Sequence, residues 1–263
     1  MKIILYAFVL ISLFLSSCNS LYLAGYTGSE YHHLETPFAK KDSTVTAHYI
    51  KGGIQEGVKF YKKEKNDIQY VGYHYAISKS YFSFAAGVNA FHGNYTVNSF
   101  INESVSLNKG YDYWGGEILA KVNVNIPISE HLHWRIIGAQ MSWNMERGPF
   151  YDFRDNIVKM DEAMEDAATF MDTATNLSFY GNTEFYFHPA KDLYIGINYA
   201  FGLIFKYLSF SSIVGANIEY KGIGLKCNYR EGTPSLLHAS IPTFNNKINN
   251  NIDSWQYAVY FKF

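Results

Sequence analysis

Beyond its N-terminus the chain has no apolar run approaching the roughly 20 residues a membrane-spanning helix needs, which argues against a helical membrane protein. It also lacks an excess of either charge. Lys and Arg number 22 against 23 Asp and Glu, a net charge of −1, so there is no electrostatic case for nucleic acid. No phosphate loop, nucleotide fingerprint or CxxC motif occurs. Metal-ligand clusters are missing too. His131 and His133 share a strand face and His32 and His33 are adjacent, but two ligands do not make a site. No cofactor and no metal are expected. Cysteine is nearly absent, with Cys18 and Cys227 alone in 263 residues.

Aromatics, by contrast, are abundant: 23 Tyr, 20 Phe and 4 Trp bring the aromatic share to 18%. That suits a structure with aromatic girdles at two membrane interfaces. The last stretch, Trp255 to Phe263, alternates Trp255, Tyr257, Val259, Phe261 and Phe263 with Gln256, Ala258, Tyr260 and Lys262. Strict alternation is the mark of a β-strand with one apolar face. This ending resembles the closing strand of outer-membrane β-barrels, with Ala258 where the family pattern usually has Gly. The resemblance implies delivery to the barrel-insertion machinery.

The N-terminus reads as an export signal. Lys2 precedes an apolar run from Ile3 that ends in Leu15-Ser16-Ser17-Cys18, the layout of a secretory signal peptide. The Leu-Ser-Ser-Cys order resembles the lipobox of bacterial lipoproteins, which implies cleavage before Cys18, a diacylglyceryl thioether on its sulfur and N-acylation. Acyl chains contribute about 0.8 kcal/mol per buried CH₂, so several anchor stably. With Cys18 consumed, Cys227 has no disulfide partner. It falls on the apolar side of a strand with Ile223, Leu225 and Tyr229. The expected organisation is a signal peptide over 1–17, a lipid-anchored tether over 18–42, and a barrel over 43–263.

About ten strands are expected: Thr44 to Gly53, Ile68 to Ser78, Tyr81 to Val97, Tyr111 to Ile128, His131 to Glu146, Asn176 to His188, Leu193 to Phe205, Leu208 to Tyr220, Ile223 to Arg230, and the closing strand. Connections after even-numbered strands are short, and most after odd-numbered ones are long or charged. Transmembrane barrels show this asymmetry, with short periplasmic turns and long outer loops. It predicts an all-β closed antiparallel transmembrane barrel in a Gram-negative outer membrane, with both chain ends periplasmic. A soluble two-sheet sandwich or lipocalin-like barrel alternates in the same way with its apolar face inside. Its strands average about 5 to 6 residues, whereas several here run well past ten.

With the apolar faces turned to lipid, the opposite faces line a lumen. His74, Glu117, Lys121, Arg135, Glu184, Glu219, Lys226 and Arg230 are the candidates to form a polar network there. A barrel near this strand number is only slightly wider than one that side chains fill. The connection Arg147 to Thr175 holds one amphipathic helix, with Met160, Met164 and Met171 on its apolar stripe and Asp161, Glu162, Glu165 and Asp166 opposite. Met-rich faces adapt well to partners, so this stripe is the candidate protein-binding surface; packing against the barrel mouth is the plainer alternative.

For catalysis, His238-Ala239-Ser240 is similar to the His-x-Ser pair of outer-membrane lipid A deacylases. A third group to orient the histidine is not apparent, and the paired aspartates and His-Asp dyad of ten-stranded outer-membrane proteases are not recognisable. The leading expectation is therefore a non-enzymatic structural or accessory barrel that binds partner proteins through its loops or N-terminal tether. A narrow transport or small-ligand-binding barrel is the second, and a lipid-modifying hydrolase the third.

Overall fold

In hydrocarbon every main-chain polar group must be paired within the protein, and a sheet achieves this only by closing on itself. The computed structural model describes residues 32–39, 42–57, 65–97, 100–102, 105–106, 109–152, 175–204, 209–232 and 252–263. The strands are β1 (Thr44–Glu56), β2 (Lys65–Lys79), β3 (Phe82–Val97), β4 (Phe100–Asn102), β5 (Val105–Ser106), β6 (Lys109–Ser129), β7 (Leu132–Arg147), β8 (Thr175–Ala190), β9 (Leu193–Ile204), β10 (Ser209–Tyr220), β11 (Ile223–Gly232) and β12 (Ile252–Lys262). Ten of them close an antiparallel barrel in chain order, β12 pairing back onto β1. The other two, β4 and β5, form a small hairpin within the connection between β3 and β6.

The closing seam runs from Tyr49 opposite Lys262 to Glu56 opposite Trp255. Past the last strand residue, the Phe263 amide donates to the His48 carbonyl at 3.0 Å and the His48 amide donates to that of Phe263 at 2.9 Å. Gly53 is required at this seam. A Cβ there would lie 2.3 Å from the Tyr257 carbonyl oxygen and 2.7 Å from the Tyr70 ring.

The two rims differ. At one, β2–β3, β6–β7, β8–β9 and β10–β11 are joined by tight turns, and both Thr44 and Lys262 lie there, opposite Lys79 and near Gly222. In the β10–β11 turn Lys221 (φ 50°) and Gly222 (φ 81°) both take the left-handed backbone of a two-residue hairpin whose twist matches its strands. The longer connections gather at the opposite rim.

Alternation sorts the faces as the pattern predicts. Val71, Val88, Ile118, Ile197, Val214 and Leu225 stand exposed on the outer wall, while Glu117, Lys121, Asn198, Asn217, Asn228 and Gln256 are buried inside. Polar residues inward and aliphatic residues outward is the reverse of a soluble barrel. Trp114, Trp143 and Trp255 sit outside toward the long-loop rim, and Trp134, Phe187, Phe261 and Phe263 toward the short-turn rim. Cys227 is half-buried on this outer wall with a free thiol.

Candidate functional site

Small barrels must fill their interior, and this one does so with its own chain. Residues 32–39, read from sequence as part of a tether that could pack partly in the barrel mouth, lie inside the barrel. His32, His33, Leu34, Glu35 and Thr36 are all buried, none more than 5% exposed. The segment has no regular structure, so its main-chain groups need partners from elsewhere.

Wall side chains supply them in sequence. The His32 carbonyl accepts from Gln140 Nε2 (3.1 Å), that of His33 from Lys51 Nζ (2.5 Å) and that of Leu34 from Lys121 Nζ (2.8 Å). The Glu35 carbonyl accepts from His74 Nε2 (3.1 Å), and those of Thr36 and Pro37 from Arg135 (2.7 and 3.4 Å). Six consecutive carbonyls are thus each met by a side chain of β1, β2, β6 or β7. The Leu34 amide in turn donates to Gln140 Oε1 at 3.3 Å.

The side chains of the segment complete the charge balance. Glu35 accepts from Lys226 Nζ at 3.0 Å and Lys51 Nζ at 3.5 Å. Among the described residues it is the carboxylate that pairs with both lysines. His32 Nδ1 lies 2.5 Å from Glu117 Oε2, which also accepts from Asn89 at 2.8 Å. His33 Nε2 accepts from Lys121 Nζ at 3.0 Å. Phe38 stacks on Tyr194 with centroids 5.1 Å apart, and its ring and that of Tyr186 flank the Arg135 guanidinium at 4.7 and 4.6 Å.

Glu184 is the hub of the wall itself. It pairs with Lys121, and it accepts from Arg135 Nη1 at 2.7 Å, Asn182 at 3.0 Å and the Tyr186 hydroxyl at 3.0 Å. Near the short-turn rim Glu219 accepts from Lys262 at 2.8 Å and the Tyr260 hydroxyl at 3.0 Å. Toward the long-loop rim the filling turns aromatic, with Tyr95 stacked on Phe150 at 4.4 Å and Tyr113 close by.

All eight lumen candidates are buried on the inner wall. His74, Glu117, Lys121, Arg135, Glu184 and Lys226 belong to the network around the segment, Glu219 to the rim pair, and Arg230 lies buried on β11. Sequence reasoning missed Lys51, Gln140, Glu35, His32 and His33. Lys51 was readable, since it shares the inward parity of Tyr49 on β1. The segment's own residues carried no such signal.

His131 Nδ1 donates to the His188 carbonyl at 3.0 Å, and among the described residues no group of three potential ligands could hold a metal ion. Of the loop expected to be helical, residues 149–152 form a helical turn that buries Phe150. Met160, Met164, Met171, His238, Ser240 and Cys18 lie outside the described residues.

The arrangement binds an extended segment by its carbonyls and a carboxylate by two ammonium groups. It buries the charged groups of the wall together with His32 to Thr36 of the segment. No protein-family model matches the sequence, and no curated protein matches it. Similar solved structures include the β domain of the Bordetella autotransporter BrkA, with 9% identity over 84% of this chain and 100% of that one, at a TM-score of 0.46. The NanC porin shares 10% identity over 82% and 100% of the two chains, at a TM-score of 0.36. The outer membrane protease OmpT from Escherichia coli shares 10% over 87% and 99%, at 0.32. The likeness is one of barrel architecture, and it spans porins and a protease alike, so it assigns no activity.

Proposed function

We propose that this chain is an outer-membrane barrel lipoprotein whose lumen is sealed by its own N-terminal segment, and that it works as a non-enzymatic structural or accessory subunit. The outward apolar wall between two aromatic belts supports the membrane reading. One observation carries the functional reading: the run of six carbonyls, His32 to Pro37, each satisfied by the inner wall. A segment held at six successive carbonyls and buried among wall side chains occupies that half of the lumen, which supports a closed pore.

Contacts with other molecules then belong to the outer surface. Lipid surrounds the wall, acyl groups on Cys18 add an anchor, and the Met160, Met164 and Met171 stripe offers a protein-binding face in the longest loop. Reconstitution of the whole protein in a planar bilayer tests the seal. Absence of steady channel current is expected; an open-channel current of porin size overturns it. Affinity capture from gently solubilised membranes tests the accessory role. The expected result is a stoichiometric partner that is lost when the three methionines are made polar.

A narrow transport barrel is the second reading, favoured by one feature. Without Glu35, Lys51 and Lys226 would face the lumen as uncompensated cations and would select anions. Under that reading Glu35→Gln yields anion-selective current.

A further inference from the structure

The hydrogen bond at His33 fixes the charge of its ring. An ammonium group is a donor only, so Lys121 Nζ, 3.0 Å away, donates and His33 Nε2 receives with its lone pair. The ring is neutral while the segment is seated. A proton added to Nε2 would turn the acceptor into a donor facing a donor, and would set a second full charge against the ammonium. Lys121 has three N–H groups to place, and they go to His33 Nε2, the Leu34 carbonyl and Glu184. Loss of the first disturbs the second, so the ring and the main chain are coupled.

The wall offers that proton little. Glu184 Oε1 lies 3.7 Å from Nε2, beyond hydrogen-bond length. A carboxylate has about four lone-pair sites, and Glu184 already receives Lys121, Arg135 Nη1, Asn182 and the Tyr186 hydroxyl. The other wall charges acting on the ring are cations: Lys51 of β1, Arg135 of β7 and Lys226 of β11. Glu35 is held by Lys51 and Lys226 and its carbonyl by His74 of β2, while Glu117 of β6 is held by His32 and Asn89. Among the described residues around the segment, Lys51, Lys121, Arg135 and Lys226 thus meet three carboxylates, Glu35, Glu117 and Glu184. The seat carries one positive charge in excess before any histidine is counted, and a charged His33 would add to it.

We propose that His33 is an acid switch, and that a proton gained at this ring releases residues 32–39 from the inner wall. A histidine free in water takes up its proton near a pH of about 6.5. Above that the ring is neutral in both states and the seat is at full strength. Below it the released ring is charged and the seated one is not, so release takes up a proton and grows about tenfold more favourable per pH unit. Free glutamates titrate lower, at about 4.3, which leaves a window in which the histidine acts alone. The switch belongs to the seat and does not rest on the accessory reading. Tyr95, Tyr113 and Phe150 fill the other half of the lumen, so release is read at the segment and not as current.

Hydrogen–deuterium exchange of the full-length folded protein tests it, at about pH 7.5 and about pH 5.5, one unit below the free histidine value, with the intrinsic pH dependence of exchange divided out. The peptide carrying residues 32–39 is followed beside one from β6, and heat-modifiable migration confirms that each variant has folded. The expected result is a loss of protection approaching tenfold in the segment at the lower pH, with β6 unchanged. His33→Gln, whose amide oxygen can still accept from Lys121 but cannot be charged, should keep its protection at both. Lys121→Met separates a switch from a merely structural part. It removes the facing cation and frees a lone pair of Glu184 for a charged ring, so acid should no longer loosen the segment, whatever its level at the higher pH. Equal protection of the unmodified protein at both pH values overturns the proposal, as does an acid loss undiminished in His33→Gln or in Lys121→Met. Bilayer current, which tests the seal, is a separate readout.

Discussion

The Glu35 carboxylate and the Lys226 ammonium lie 3.0 Å apart although 191 residues separate them in sequence. The pair joins the segment before the first strand to the eleventh strand, across the interior of the barrel. It is buried, and Lys51 shares the same carboxylate.

Breaking a buried pair by removing one partner strands the other charge, at a cost of about 3–5 kcal/mol. Glu35→Leu is therefore expected to lower the temperature at which the heat-modifiable band shifts on gels. Adding Lys226→Met should recover part of the loss, because the stranded ammonium is removed with it. Equal effects of the single and double variants would show that the pair is uncoupled.

Glu184→Gln should be worse than Glu35→Gln. Glu184 holds both Lys121 and Arg135, and Arg135 in turn holds the Thr36 and Pro37 carbonyls. Loss of the hub is expected to loosen the wall and the segment together. Urea titration of the two variants in vesicles, ranked by midpoint, checks the order.

On the outer wall the membrane sets the scale. Arginine at the bilayer midplane of a barrel costs about 2–4 kcal/mol, falling to about 0–1 near the interfaces. Ile118→Arg, well inside β6, should approach the larger figure, and Ile128→Arg, at the short-turn end of the same strand, the smaller. Similar costs at both positions would contradict a transmembrane placement.

Two adjacent glycines at the seam should behave oppositely. A Cβ on Gly52 meets only the Tyr70 carbonyl at 3.7 Å, an ordinary contact, whereas one on Gly53 overlaps Tyr257 and the Tyr70 ring. Gly52→Ala should assemble normally, and Gly53→Val should fail to give the compact band.

The barrel was legible because its signal is local. Each barrel strand spans ten or more residues with period-2 alternation along most of it, and each inward charge, such as Lys121 between Leu119 and Asn123, is fixed by parity with its neighbours. His32 to Phe38 offer nothing comparable. The segment forms no ladder, has no period, and its partners lie up to 191 residues away. Its two adjacent histidines, too few to suggest a metal site, neighbour Glu117 and Lys121. The lumen wall could be read from sequence as polar, but not what occupies it, because long-range pairing leaves no trace in spacing.

The β1–β12 seam also constrains how the molecule is made. A ring that encloses part of its own chain must either close around that part or admit it afterwards through an open rim. Zippering of Tyr49–Glu56 against Trp255–Lys262 around a segment already in position would bring Glu35 to its two lysines as the ring forms. A barrel closed without that segment would be a chemically distinct molecule, with Lys51 and Lys226 left without the carboxylate that both now share.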